Sequence, residues 1–272
     1  LLDGGKGDAA RIDVAAQLAA RRDGRLTGLY LSAEPPLPGF IEAGLPAELR
    51  AERRAVIEAE AAAARHAFED AARRHGVLDH AEWRESAGDP TETAALQGRY
   101  ADLVVAGQPA PQRDDDRLAP RVEDLLFECG RPVLVVPYVG RFETVGERIV
   151  VGWNASREAA RAVGDAMPLL ETARRVTVLA VNPQRGGTAG LGDAPGADIA
   201  RHLSRHGCVV EAAQVSTDQI DPGEAMLNVV SDEAADLVVM GAYGRSRLRE
   251  MILGGMTRFM LRHATAPLLM SH

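Results

Sequence analysis

The 272-residue chain is 46% hydrophobic and 26% charged, enough apolar material for one large or two ordinary packed domains and too much for disorder. Its net charge of -8 excludes a general binder of nucleic acid or membrane surfaces, because phosphate backbones and anionic lipids select basic faces. No apolar run is long enough to span a membrane, no signal-peptide pattern opens the sequence, and Cys129 and Cys208 fit reduced thiols better than a disulfide framework, so the cytoplasm is the expected location.

Taken in order, residues 8–22 place Ile12, Val14, Ala15, Leu18 and Ala19 at helical spacing, and 26–31 follow as a strand. A Pro-rich segment at 34–52 leads into an Ala-rich helix over about 48–75. Strands are predicted at 80–85, 103–106 and 132–136, with helices between. Residues 138–147 form a connection, and 148–152 open a second series: a helix from an N-cap at Ser156 to Leu170, a strand at 176–181, a glycine-rich loop at 182–195, a helix at 197–206, a strand at 208–215 and a helix at 223–234. An apolar run at 236–240 and a short strand after Pro267 complete it.

The two series are copies of one design. Residues 101–107 (Ala-Asp-Leu-Val-Val-Ala-Gly) match 235–241 (Ala-Asp-Leu-Val-Val-Met-Gly) at an offset of 134, and 131–137 match 266–272 at 135. Asp89-Pro90 pairs with Asp221-Pro222 in the same way, and 26–31 match 176–181 at 150. Self-similarity at this length means duplicated domains, here 1–140 and 147–272. The alternation predicts an α/β fold in which each domain is a five-stranded parallel sheet covered by helices on both faces. Aligning the copies sets Leu1-Leu2-Asp3 opposite Gly152-Trp153-Asn154, which leaves the first strand a residue or two. The native polypeptide is therefore expected to begin several residues earlier.

The richest stretch is 241–257. Met240 and Gly241 end a run that reads as a buried parallel strand delivering its carboxyl end to a loop, where open α/β sheets collect ligands. Gly241 and Gly244 let that loop take positive φ values and let an anion approach the backbone. Residues 245–253 read as a short helix stopped by Gly254, and a second helix begins near Thr257, with its free NH groups facing the same point. The pattern G-x2-G-x9-G-G is thus a candidate phosphate cradle, with Arg245 beside it. The same glycines would equally serve as ordinary turns and caps.

With the segment 257–264 (Thr-Arg-Phe-Met-Leu-Arg-His-Ala) and the closing Ala266-Pro267-Leu268-Leu269-Met270, this signature resembles the universal stress protein family in its tandem form. The resemblance implies two domains of the adenine nucleotide alpha hydrolase-like type, paired within one chain through their last strands, with a further homodimer left open. It also implies ATP with Mg²⁺ as the ligand. Gly241 and Gly244 match the loop around phosphates and ribose, and Gly254, Gly255, Met256 and Thr257 the second phosphate loop. Gly152, Trp153 and Asn154 follow the first strand near the base and ribose, and Val181 lines the base. Gly255 stands where the family usually has serine, and Asn154 where it usually has aspartate. In the first copy Pro109, Pro111 and the acids Asp114, Asp115 and Asp116 follow Gly107 and would disfavour a triphosphate, so one nucleotide site is expected, in the second domain.

The sequence holds no P-loop and no nucleophile elbow. His202 and His206 stand four apart without an intervening glutamate and read as a solvated pair, His263 as an end-of-helix partner for carbonyls, and Cys208 as a buried hydrophobe. The expected role is a stress-response regulator that binds ATP and an unidentified protein partner and is not an enzyme beyond slow hydrolysis. A scaffold or carrier for a small apolar ligand is the alternative.

Overall fold

The computed structural model describes residues 1–5, 7–31, 44–86, 88–109, 120–183, 196–242 and 255–272. The first copy comprises α1 (Asp8–Arg21), β1 (Leu26–Leu31), α2 (Ala47–Arg74), β2 (Ala81–Ser86), α3 (Pro90–Gly98), β3 (Val104–Gly107), α4 (Val122–Glu128) and β4 (Val133–Val136). The second comprises β5 (Arg148–Gly152), α5 (Arg157–Leu170), β6 (Arg175–Val181), α6 (Ala197–Arg205), β7 (Val210–Val215), α7 (Pro222–Asp232), β8 (Leu237–Gly241), α8 (Gly255–His263) and β9 (Leu268–Ser271). The predicted short helix at 245–253 lies outside the described residues, as does most of the loop at 182–195.

Local chemistry starts the helices where the sequence signals it. The side chain of Asp89 accepts from Glu92 N at 2.8 Å and that of Asp221 from Gly223 N at 2.7 Å, each before a proline that has no NH to lose. Ser156 Oγ accepts from Ala159 N at 3.1 Å and opens α5.

In the second copy the strands lie in the order β9-β8-β5-β6-β7, all parallel. Alternating residues feed the two faces. Ile149, Val151, Val178 and Val239 pack with Ala162, Val163, Leu170 and Leu203 of α5 and α6. Val150, Leu179, Val238 and Met240 pack with Met226, Val230, Met260 and Leu261 of α7 and α8. The last strand, β7, has no fully buried residue, in keeping with its place at the sheet's edge. Asp236, just before β8, accepts from Gly146 N, Glu147 N and Arg148 N at 3.0, 3.1 and 2.9 Å, which fixes the incoming chain beside β8 so that β5 starts in register.

The first copy keeps this strand order but splits its sheet. β1 pairs with β2, β3 pairs with β4, and Leu1-Leu2 lies between the two pairs. Leu2 N donates to Leu29 O at 2.9 Å, Leu31 N to Leu2 O at 3.0 Å and Leu1 N to Val105 O at 2.8 Å. A five-stranded sheet in this copy is thus corrected, among the described residues, to a two-stranded pair plus two strands of a seven-stranded sheet, with Leu1-Leu2 between them.

The copies join as the resemblance implies, through their last strands, with β4 and β9 antiparallel. Leu134 faces Leu269. These residues are equivalent at the offset of 135, so a pseudo-two-fold axis passes through the pair, and both are fully buried. The apolar layers run through this junction, with Ala94, Leu125 and Leu126 of α3 and α4 continuous with the α7–α8 layer, and Val14 and Leu18 of α1 with the α5–α6 layer.

Candidate functional site

Parallel strands joined by crossover helices put every strand end and every following helix start at one edge of the sheet. In the second copy that edge carries Gly152 at the end of β5, Trp153 and Asn154 just after it, Val181 at the end of β6, Met240 and Gly241 at the end of β8, and Gly255, Met256 and Thr257 at the start of α8. Gly244, Arg245 and Gly254 lie outside the described residues.

The two strand-end glycines have a use not foreseen from the sequence. A Cβ on Gly241 would meet Ala159 N and the Glu158 carbonyl carbon, both at 2.5 Å, so this glycine lets the end of β8 lie directly on the first turn of α5. Its φ is not positive, which corrects the expectation of a left-handed bend there. A Cβ on Gly152 would meet Met226 Cε at 2.7 Å, so that glycine serves the packing of α7. Around Gly255, by contrast, an added Cβ would meet nothing within 4 Å. Of the three, it is the one that no described residue crowds.

Asn154 is exposed, and its Oδ1 accepts from Ser156 N at 3.0 Å, which shapes the turn into α5 and leaves its NH2 group with two donors outside that turn. Trp153 packs with the α5–α6 layer, whereas Val181, Met240 and Met256 pack in the α7–α8 layer. The predicted residues therefore divide between the two faces of the sheet, with the apolar group and the α8 terminus on one of them. Thr257 is buried and Met256 half-buried.

Glu158, which the sequence reading did not single out, is buried beside Gly241. Burial works against its charge, but the Arg157 guanidinium at 2.5 Å and the Ser156 hydroxyl hold the carboxyl below its usual range. An anion at the start of α5 would meet this carboxylate, so that helix terminus is already neutralised. Its only signal in the sequence is a position two residues past a serine N-cap.

The equivalent edge of the first copy is filled from within. Arg11 reaches from α1 across Gly107, where an added Cβ would sit 2.7 Å from Nη1. Arg11 Nη2 is 2.7 Å from Asp3 Oδ1 and also pairs with Asp8, and the three side chains are 7%, 2% and 10% exposed. Asp3 Oδ1 accepts from Gly5 N at 3.1 Å, the same turn that Asn154 makes with Ser156. Burial pushes the Asp8 carboxyl up to about 6 despite the Arg11 charge, and the neighbouring Asp3 carboxylate adds to the rise.

Elsewhere, the rings of His202 and His206 meet edge-on at 4.8 Å on the surface. Among the described residues no group of three or more His, Cys, Asp or Glu is placed to hold a metal ion. His263 packs its ring on Phe259 at 4.5 Å rather than serving as a carbonyl partner. Cys129 and Cys208 are buried, and burial raises both thiols above their ordinary range. No helix among the described residues is long and apolar enough to cross a membrane.

The sequence model of the universal stress protein family matches residues 146–272. A universal stress protein of Methanocaldococcus jannaschii is 31% identical over 48 residues, which is 18% of this chain and 30% of that protein's length. The fold is similar over nearly the whole chain to a universal stress protein from Archaeoglobus fulgidus DSM 4304, with a TM-score of 0.70 and 17% identity, covering 96% of this chain and 92% of the other. It is also similar to a protein described as a putative universal stress protein from Pseudomonas aeruginosa UCBPP-PA14, with a TM-score of 0.57 and 14% identity, covering 94% and 86%. Residues 146–272 therefore match the universal stress protein family, and over nearly its whole length the chain has the α/β fold of solved universal stress proteins.

Proposed function

We propose that the second copy binds an adenine nucleotide, ATP with Mg²⁺, at the carboxyl edge of its sheet, and that occupancy regulates the protein's dealings with a partner in the cytoplasm during stress. One observation carries this reading: α8 starts with Gly255 exposed, with no atom of the described residues within 4 Å of an added Cβ, on the sheet face where Val181, Met240 and Met256 gather. Backbone NH groups at a helix start, and the helix dipole, favour an anion such as phosphate. The apolar group offers a flat base a dry surface, and the free amide donors of Asn154 suit ribose or phosphate oxygens. Mg²⁺ in such a site is held chiefly by the phosphates and water. The proposed role is regulation rather than turnover.

A thermal-shift titration tests this. Ligand at a hundredfold excess over Kd stabilises the folded state by about 2.7 kcal/mol, so ATP with Mg²⁺ raises Tm and Gly244→Val removes that rise while keeping the parent's fold. No shift at millimolar ATP would overturn the reading.

A further inference from the structure

α8, whose first turn is the proposed phosphate anchor, is held at its other end by the first copy. Gln108, the residue after Gly107, is 7% exposed, and its Nε2 donates to Ala264 O at 3.1 Å, just past the end of α8. The carbonyls at a helix end have no partner within the helix, and a buried one left unpaired is costly, so this side chain fixes where α8 finishes. Gln108 is itself fixed, because its NH donates to Val136 O at 2.8 Å. The pseudo-two-fold axis would allow the reciprocal contact, but the equivalent of Gln108 is Ala242, whose NH makes the matching bond to Ser271 O at 2.8 Å and whose methyl has nothing to donate. This side-chain hydrogen bond therefore has no counterpart from Ala242, and what reaches the other way is a ring contact of His272 on Phe127 of α4 at 4.6 Å.

We infer that Gln108 of the first copy is a positioning residue for the nucleotide site of the second, setting the axial placement of α8 through Ala264. The inference rests on the proposed nucleotide site. α8 is nine residues long, and a helix that short moves as one rod, so a shift at Ala264 displaces the NH groups at Gly255 and Met256 by a similar amount. Because coupling is reciprocal, nucleotide bound at the start of α8 also tightens the contact at its end.

The test uses the full chain. Gln108→Met keeps the side chain's bulk and removes its donor, and Arg22→Ala removes another bond between the copies, Arg22 Nη1 to Pro168 O at 3.0 Å, on the opposite face of the sheet. ATP with Mg²⁺ is titrated calorimetrically into each, and amide hydrogen exchange at Gln108 is followed in the parent with and without nucleotide. Gln108→Met should weaken binding by about threefold or more, Arg22→Ala should leave it unchanged, and nucleotide should slow exchange at Gln108. Equal affinity in the parent and Gln108→Met, at whatever change in Tm, overturns the positioning role alone. A parent that binds no nucleotide overturns the proposed function and this inference together.

Discussion

At the end of β8, Gly241 lies on the main chain of α5 at Glu158 and Ala159, whereas its counterpart Gly107, at the end of β3, lies under the guanidinium of Arg11. Both glycines permit a close approach from the first helix of their own copy. In the second copy the approaching group is backbone, and the side chains turn away to pair with each other. In the first it is a charged side chain that two buried carboxylates hold in the gap. One duplicated fold can thus leave its edge available to a ligand or fill that edge with its own ions, and the difference lies in a few side chains rather than in the strand order.

The largest effect expected from breaking this comparison is at Arg11. Arg11→Met strands two buried carboxylates and should lower stability by about 3–5 kcal/mol in chemical denaturation, whereas Arg161→Met, on the corresponding helix of the second copy, removes an exposed pair with Asp165 and should change it by less than about 1 kcal/mol. The glycines come next. Gly241→Ala forces a methyl into backbone and Gly107→Ala forces one against the Arg11 guanidinium that the buried carboxylates hold, and each should cost about 1–3 kcal/mol, the larger at Gly241.

The ion cluster also makes the first copy sensitive to pH. Asp8 has its folded-state value raised from 3.8 to about 6, chiefly by burial, so its contribution to stability is complete below pH 3.8 and is lost as pH rises through about 6. Denaturation midpoints measured between pH 4.5 and 7 should fall with pH more steeply in the parent than in Asp8→Asn. The smallest effect sharpens the likeness instead of the difference: Asp89→Ala and Asp221→Ala remove matching N-caps and should each lower stability by about 1 kcal/mol.

What could be read from the sequence was whatever short-range pattern decides. Period and punctuation placed β5, β8 and α5, the repeat offset made Leu134 and Leu269 equivalent positions, and Ser156 marked a helix start. Whatever depends on which segments cross in space was hidden. Asp8 and Arg11, three apart on an amphipathic helix, look like an ordinary surface pair, and only the passage of α1 over Gly107 buries them. Gln108 sits in a run of proline, glutamine and aspartate that reads as loop, and its bond to Ala264 spans 156 positions. Trp153 follows β5 and Val181 ends β6 in one sheet, yet they pack on opposite faces. Gly241 stands where a bend was expected, but the structure uses its missing Cβ for packing on α5.

The central claim is that the open edge of the second copy takes a nucleotide and the ion-filled edge of the first does not. Isothermal titration of the full chain with ATP and Mg²⁺ measures this directly as a stoichiometry. The account predicts one nucleotide per chain, abolished by Gly244→Val and unchanged in number by Gly107→Ala; two per chain, none, or binding that survives Gly244→Val would contradict it.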